Sequence, residues 1–354
     1  AGGNAVRVFA EVRDAQAFAG RYTRWLYDHA PGLDAVVVHR AFEDGDLAVG
    51  LGAIQVDLAR AKTERAPSAT LLGISVTESC HETGLPAVDL DRVGSGDPAP
   101  VSRATLAARE AFRRERARER EITRFTRPGL TLLRELDQLG RTRGDTSLLG
   151  VVHVDGNRVG ANLTKWLRAC VEAGLPDDAL RAQYVALSRG LDGLAARAMT
   201  AVLRRVEAAV QRNEHGDAVI VGTPYELGFE LTAPDRDDAE DGGAAEVCAP
   251  VRPILVGGDD LTFVCDGRLA LDLAETALEV FARGEIPHLP GRVTASAGVA
   301  IVRSHAPFYR AYALAEGLCR QAKRMLNDTR RFEDWALDWH LGATLEECPR
   351  EADH

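Results

Sequence analysis

Three aspartates stand where apolar stretches of the sequence end. Asp155 follows the apolar run 147–154, and Asp259 and Asp260 lie between two further apolar stretches. A carboxylate at the end of a buried strand is costly unless it is paired or bound to a cation. If these strands run side by side, the carboxylates lie close together, and their repulsion favours a divalent metal ion. We therefore predict that Asp155, Asp259 and Asp260 are catalytic residues that hold Mg²⁺ or Mn²⁺.

The residues around the acidic pair suit nucleotide chemistry. Mg²⁺ is held in proteins by one or two carboxylates together with substrate phosphates. With two ions, one would activate a 3′-hydroxyl and the other would stabilise the departing pyrophosphate. Gly257 and Gly258 allow positive φ at a hairpin turn and leave room for a phosphate or a base. A Gly-Gly-Asp-Asp stretch is also typical of an ordinary β-turn, but a turn alone does not explain its coincidence with Asp155 and with the downstream helix that reaches Lys323.

Residues 257–260 and their flanking strands resemble the GGDD palm motif of CRISPR polymerases, the large signalling subunits of type III CRISPR effector complexes. Residues 154–160 (VDGNRVG) are similar to the first strand end of that palm. Residues 294–300 and the helix reaching Lys323 are similar to the strand and helix that the family shares with GGDEF cyclases. Residues 336–340 (ALDWH) resemble its closing segment, so the resemblance covers about residues 145–345.

The resemblance implies a ferredoxin-like α/β palm that uses metal ions to join ATP molecules into cyclic oligoadenylates. It implies the same three aspartates as metal ligands, and a nucleotide-binding set in which Lys323 contacts the triphosphate. Asn157 stands where many relatives carry a second Asp. The nuclease His-Asp pair and the zinc-binding cysteines of full-sized relatives are missing, which predicts a minimal or stand-alone relative. The implied nucleotide-binding residues are Gly156, Asn157, Gly160, Gly257, Gly258 and Lys323.

The predicted fold class is α/β (α+β), with the GGDD hairpin in a ferredoxin-like palm. We expect an N-terminal α/β unit over 1–95 that would be a degenerate first palm, a linker and basic helix over 96–145, the catalytic palm over 146–345 and a tail over 346–354. A loop-like composition over 91–103 marks the first boundary. Predicted strands cover 6–12, 35–39, 70–77, 147–154, 218–221, 251–256, 261–265 and 293–302. Predicted helices cover 14–29, 47–62, 103–127, 176–213, 270–283 and 308–326, and the fourth of these is expected to break near Gly190 and Gly193. A loop is predicted over 235–246.

Composition and charge exclude several classes of protein. Lys and Arg number 43 against 53 Asp and Glu, a net charge of −10 that disfavours a protein coating duplex nucleic acid. The sequence has neither a membrane-spanning apolar stretch nor a signal-peptide pattern. Its six cysteines are scattered without a Cys-x-x-Cys pair, which predicts reduced thiols in the cytoplasm and no zinc ribbon. Neither a Gly-x-Ser-x-Gly elbow nor a Walker loop is present.

Three further features each have two interpretations. Residues 103–127 contain nine Arg and four Glu, so this helix is either a solvated, ion-paired face or a surface that contacts phosphates or a partner. Residues 80–82 (CHE) with Asp89 and Asp91 favour a structural turn over a metal site, because no second cluster completes it. Asp338 and His340 favour a structural hydrogen-bonded pair over a catalytic dyad.

The leading functional hypothesis is a nucleotidyltransferase that joins nucleoside triphosphates, ATP favoured, into a cyclic second messenger. A diguanylate-cyclase-like enzyme ranks lower, because the RxxD sequence before the turn is missing and Leu261 stands where GGDEF proteins carry Phe. The contrasting class is a catalytically silent palm that binds nucleotide, RNA or a protein. A cyclase needs two facing nucleotides, so either a homodimer or the N-terminal unit would supply the second site. An RNA or a protein would act as activator.

Overall fold

The computed structural model describes residues 4–65, 76–92, 96–114, 124–125, 127–132, 136, 139, 148–222, 227–231 and 247–342. These fall into two compact units, one holding the described residues from 4 to 121 with 170–177, the other those from 122 to 169 and from 178 on. No helix in the described ranges has the length and apolar character of a membrane span. Several predictions lie wholly or partly outside these ranges: the strand 70–77, the middle of the helix 103–127, the loop 235–246, the tail 346–354 and Cys348.

Seven helices and twelve strands are assigned in the described residues. The helices are α1 (Val12–His29), α2 (Leu47–Glu64), α3 (Arg103–Arg114), α4 (Val159–Glu172), α5 (Asp177–Ala209), α6 (Ala270–Arg283) and α7 (Phe308–Asp328). The strands are β1 (Ala87–Asp91), β2 (Ala99–Ser102), β3 (Leu130–Leu132), β4 (Leu148–Gly156), β5 (Val210–Arg212), β6 (Ala218–Gly222), β7 (Leu227–Glu230), β8 (Val247–Ala249), β9 (Val251–Gly257), β10 (Asp260–Asp266), β11 (Ala295–Arg303) and β12 (Ala336–Leu341).

The larger unit is built on a five-stranded sheet in the order β12-β11-β4-β10-β9. The four strands β11-β4-β10-β9 pair antiparallel, and β12 adds a parallel strand beside β11. Helices α4 and α5 connect β4 to β9, and α6 connects β10 to β11. This is the strand order and helix placement of a ferredoxin-like β-α-β-β-α-β unit. The predicted palm fold is confirmed.

The apolar sequence of the central strands reflects burial on both faces. Val151, Val152 and Val154 of β4 are fully buried, as is nearly all of β10 and β11. Strands covered on both sides read as continuous apolar runs, whereas half-exposed strands alternate. The predicted strands at 147–154 and 261–265 are therefore confirmed.

Helix α5 runs without interruption for 33 residues, so the predicted break near Gly190 and Gly193 is wrong. Glycine weakens a helix through its backbone entropy, which is why the sequence favoured a break. In the structure Gly190 is a packing position: a Cβ there would lie 2.9 Å from Cδ of Pro287 and 3.2 Å from Ile286. Close tertiary packing thus compensates for the weak local propensity.

The N-terminal unit confirms the two predicted helices, as α1 and α2, but not two of its strands. Residues 6–9 and 35–39 have no strand pairing, and Val12 already begins α1. Both stretches are rich in β-branched residues, yet a strand also needs a neighbouring ladder, and no partner strand stands beside them in the described residues. The strands described in this unit are β1 and β2, which form one hairpin. In the described part they do not make the sheet of a palm, and the degenerate palm stays a prediction.

Helix α3 carries the described start of the predicted basic helix. Arg109 and Arg113 bind Asp91 at 3.0 and 2.8 Å, and Arg109 also pairs with Glu82. These contacts support the ion-paired interpretation for this part of the helix. They also pair Glu82 and Asp91, two of the acidic residues that the sequence analysis weighed for a metal site. Strand β2 lies inside the stretch 91–103 that the sequence marked as a boundary. The predicted domain bounds stay predictions.

Candidate functional site

Strand register brings the predicted aspartates to one edge of the sheet. Asp260 at the start of β10 is the direct antiparallel partner of Asp155 near the end of β4. Residues directly opposite on one face of such a pair have Cβ atoms about 4.5–5.5 Å apart. Asp259 precedes Asp260 in the turn, where Gly258 has a φ of +62°. A residue with a side chain rarely adopts that conformation, which explains the second glycine of the motif.

Gly156 lets Asp259 approach the end of β4. The backbone N–H of Gly156 donates to the carbonyl of Asp259 at 3.1 Å. A Cβ on Gly156 would lie 2.8 Å from Cβ of Asp259 and 3.2 Å from its Oδ2. Burial raises the pKa of the Asp259 carboxyl, and the nearby carboxylates of Asp155 and Asp260 raise it further. The structure therefore brings the three predicted aspartates together.

Lys323 of α7 contacts this cluster directly. Its Nζ donates to Oδ2 of Asp155 at 2.5 Å and to the carbonyl of Gly156 at 2.8 Å. Burial raises the pKa of Asp155, the Lys323 ammonium opposes that rise, and Asp260 adds to it. The lysine thus supplies the positive charge that the buried carboxylate requires.

His153 is a member of the cluster that the sequence analysis missed. It is buried, with 4% of its surface exposed, and Thr262 lies opposite it in the ladder, 3.0 Å from Nδ1 to Oγ1. Its ring meets Tyr312 of α7 edge-on at 5.6 Å. Burial lowers the pKa of His153, although the carboxylates of Asp260 and Asp155 oppose that. Residues two apart on a strand face the same side, so the spacing to Asp155 was the available signal.

The donor atoms present here fit a divalent cation. Atoms of His153, Asp155 and Asp260 that could bind metal all lie within 4.8 Å of one another, with Asp259 beside them. Carboxylate oxygens suit Mg²⁺ and Mn²⁺, and Mn²⁺ also accepts imidazole nitrogen. Burial and, after it, the neighbouring carboxylates raise the pKa of Asp155 and Asp259, and a bound cation would relieve that repulsion.

Two further residues of the predicted nucleotide-binding set, Asn157 and Gly160, follow the end of β4. The Asn157 side chain is buried; its amide donates to Oγ1 of Thr294 at 3.0 Å and accepts from Ser296 Oγ at 2.9 Å. The amide therefore ties the end of β4 to β11. Gly160 is exposed in the first turn of α4, and a Cβ there would meet no atom within 4 Å.

A pocket lies beside Lys323. It is lined by Asn157, Arg158, Lys323, Leu326, Asn327 and Phe332. The Arg158 guanidinium lies 4.1 Å from the centre of the Phe332 ring, and its backbone has a φ of +57°. Two cationic side chains and an aromatic face are suited to a phosphate and a ring. The sequence analysis did not single out Arg158, because its contact with Phe332 joins positions far apart in the sequence.

We expect Asp259→Asn to stabilise the metal-free protein by about 0.5–1 kcal/mol at pH 8, as changes that relieve functional strain commonly do. Because the folded-state pKa is raised, the charged carboxylate costs stability as pH rises through that pKa. The gain should vanish below about pH 4, where unfolded carboxyls are protonated too. Urea unfolding in EDTA at pH 8 and below about pH 4 measures the difference in stability between variant and wild type. Asp328→Asn, at an exposed position, is the matched control. Equal effects of both changes at pH 8 would contradict the burial of Asp259.

A four-stranded ferredoxin-like order with an acidic hairpin turn defines a palm domain. Residues 148–330, just over half of the chain, match the family model of the Cas10/Cmr2 second palm domain. The chain belongs to the Cas10/Cmr2 family, which confirms the resemblance found in the sequence.

Solved structures of the Csm1–Csm4 cassette are similar at low identity. The cassette in complex with cA3 is 16% identical with a TM-score of 0.30, and the cassette with AMPPNP is 16% identical with a TM-score of 0.31. Each match covers 54% of this chain and 21% of the other, so the chain spans about a fifth of those relatives. No curated protein matches the sequence.

Proposed function

We propose that the protein is a metal-dependent nucleotidyltransferase that joins nucleoside triphosphates, ATP favoured, into cyclic oligonucleotide second messengers in antiviral defence. One observation carries the proposal: Asp155 and Asp260 are register partners at the sheet edge, with Asp259 in the turn and Lys323 beside them. A catalytically silent palm has no physical need to gather three carboxylates, one buried and two half-buried, whose charges repel. We also propose a cytoplasmic location, because the cysteines are scattered through the sequence without a Cys-x-x-Cys pair.

In this proposal the acidic side chains hold metal ions and the basic side chains contact the triphosphate. Divalent ions held by the aspartates would activate the attacking 3′-hydroxyl and neutralise the leaving pyrophosphate. Lys323, on a flexible stem, supplies a mobile point charge for the triphosphate. Arg158 adds a second cation on the other side of the pocket. The open turn at Gly257 and Gly258, where added Cβ atoms would meet nothing closer than 3.8 Å, leaves room for the nucleotide.

Nucleotide ligands of this kind are present in several of the similar solved structures. The Csm1–Csm4 cassette was solved with pppApA, with cA3 and with cA4. By analogy we propose ATP as substrate, and a second copy of this chain or its N-terminal unit as the source of the second nucleotide site. An RNA or protein activator completes the proposal.

The test is to incubate the pure protein with each nucleoside triphosphate, singly and mixed, with Mg²⁺ or Mn²⁺, and to resolve products by chromatography and mass. We expect cyclic oligonucleotides containing adenosine. The Asp259→Ala/Asp260→Ala variant should lose at least about 1000-fold of this activity, because charge stabilisation is the largest contribution in such sites. Asp328→Asn, exposed on α7, should retain activity.

The alternatives give different results in the same assay. Products from GTP alone would favour the diguanylate-cyclase-like reading. Binding of nucleotides without product, also after addition of RNA, would favour the silent module. Equal product from the wild type and the double aspartate variant would overturn the site assignment.

A further inference from the structure

His153 gives the acidic cluster a nitrogen donor that the aspartates alone do not supply. It lies two residues before Asp155 on β4, and its ring nitrogen is within 4.8 Å of the carboxylate oxygens of Asp155 and Asp260. The side chain is almost fully buried and stands between the sheet and α7. A buried polar side chain aimed at carboxylates is a candidate metal ligand when its geometry is fixed.

Contacts on two sides fix the orientation of this ring. Nδ1 bonds Thr262 Oγ1 at 3.0 Å, and the ring packs edge-on against Tyr312. Metal-bound histidines commonly hold one ring nitrogen in such a hydrogen bond, which leaves the other nitrogen with its lone pair for the ion. Thr262 and Tyr312 thus act as a support that holds the imidazole toward the aspartates.

A nitrogen ligand changes which ions a site prefers. Carboxylate and water ligands suit Mg²⁺, whereas imidazole suits later first-row ions, and affinity rises from Mn²⁺ to Co²⁺. Mg²⁺ also demands near-ideal octahedral oxygen geometry and keeps several waters. A site with one fixed imidazole and two carboxylates therefore discriminates against Mg²⁺.

We propose that His153 is a metal ligand that works with Asp155 and Asp260 and makes the site selective for Mn²⁺ or Co²⁺ over Mg²⁺. The role of the metal in this proposal rests on the proposed function, but the test measures metal binding alone.

The test is pulsed EPR of the full-length protein, free of any histidine tag and loaded with Mn²⁺ without nucleotide. We expect electron spin-echo modulation from a directly bound nitrogen. When the histidines are ¹⁵N-labelled, the ¹⁴N modulation frequencies should be replaced by those of ¹⁵N. This measurement on the wild type needs no variant to fold. His153→Gln should abolish the modulation, whereas His305→Gln, exposed on the loop after β11, should leave it intact.

Calorimetric titration of the same proteins measures selectivity. His153→Gln should weaken Mn²⁺ and Co²⁺ binding at least about tenfold while changing Mg²⁺ binding much less. Thr262→Val, which removes only the hydroxyl beside Nδ1, should weaken Mn²⁺ binding by a smaller factor. A role of His153 in packing alone would lower the affinity for all three ions alike.

The outcomes separate this inference from the proposed function. Mn²⁺ binding that depends on Asp155 but shows no nitrogen coupling overturns the role of His153 and leaves the nucleotidyltransferase intact. A nitrogen-coupled Mn²⁺ site in a protein that makes no product from any nucleotide upholds the ligand and overturns the proposed reaction. Absence of Mn²⁺ binding to the wild type overturns both.

Discussion

Gly298→Ala is expected to lower the free energy of unfolding by at least about 3 kcal/mol, at the upper end of single substitutions. A Cβ at Gly298 would lie 1.9 Å from the carbonyl oxygen of Ala315 and 2.4 Å from the backbone nitrogen of Cys319. Both atoms are helix backbone in α7, so no side-chain rotation relieves the clash. Denaturant unfolding followed by circular dichroism, with the soluble fraction after expression, measures the effect.

Gly317→Ala is the matched control, because it makes the same change in α7 where space is open. The nearest atom to a Cβ there is Nη2 of Arg320 at 3.9 Å. Alanine should stabilise this helix position by roughly 0.5–1 kcal/mol. A Gly298→Ala protein as stable as the wild type would show that α7 does not pack on β11 as closely as described.

Lys323→Met is expected to change the binding of two ligands in opposite directions. In the structure the Lys323 ammonium binds Asp155 at 2.5 Å, so the lysine and a metal ion compete for that carboxylate. Loss of the ammonium should tighten Mn²⁺ binding in the absence of nucleotide. It should also weaken a non-hydrolysable ATP analogue by roughly 10- to 100-fold, since a charge-assisted hydrogen bond is worth about 1.5–3 kcal/mol.

The control for this prediction is Lys165→Met. The chain has three lysines, at 62, 165 and 323, and Lys165 is exposed on α4. Its loss should change neither metal nor nucleotide affinity. Calorimetric titration with Mn²⁺ and, separately, with the analogue measures both constants. If Lys323→Met weakens Mn²⁺ binding without nucleotide, the lysine does not compete with the ion at Asp155.

The two predictions concern one helix, because the packing at Gly298 positions Lys323. Ala315 sits against Gly298, and Lys323 lies eight residues further along α7, about 12 Å at 1.5 Å per residue. A shift of the helix away from β11 would move the ammonium away from Asp155. A destabilising change at Gly298 should therefore also weaken nucleotide binding in whatever fraction folds.

Local sequence patterns were enough to predict the elements of the palm and the aspartates at the ends of its strands. Helix α6 begins and ends where its apolar periodicity predicted, and the hairpin at residues 257–260 lies between the predicted strands. Asp155, Asp259 and Asp260 were predicted because apolar runs and turn residues are local signals, readable within a few positions. The role of Lys323 came from the family resemblance of its helix. That these residues catalyse a reaction stays a prediction.

Which side chains meet across the sheet depends on strand register and helix packing, and no local pattern predicted it. His153 joins the cluster because β10 sets Thr262 opposite it, and Asn157 is held by Thr294 and Ser296, more than 130 residues away. Tertiary contacts also explain why α5 is uninterrupted, and the lack of such contacts explains why no strands are described at 6–12 and 35–39. Local propensity is weak, and burial against distant partners, or the lack of them, overrides it. Register and helix packing are properties of the assembled chain, so no local pattern contains them.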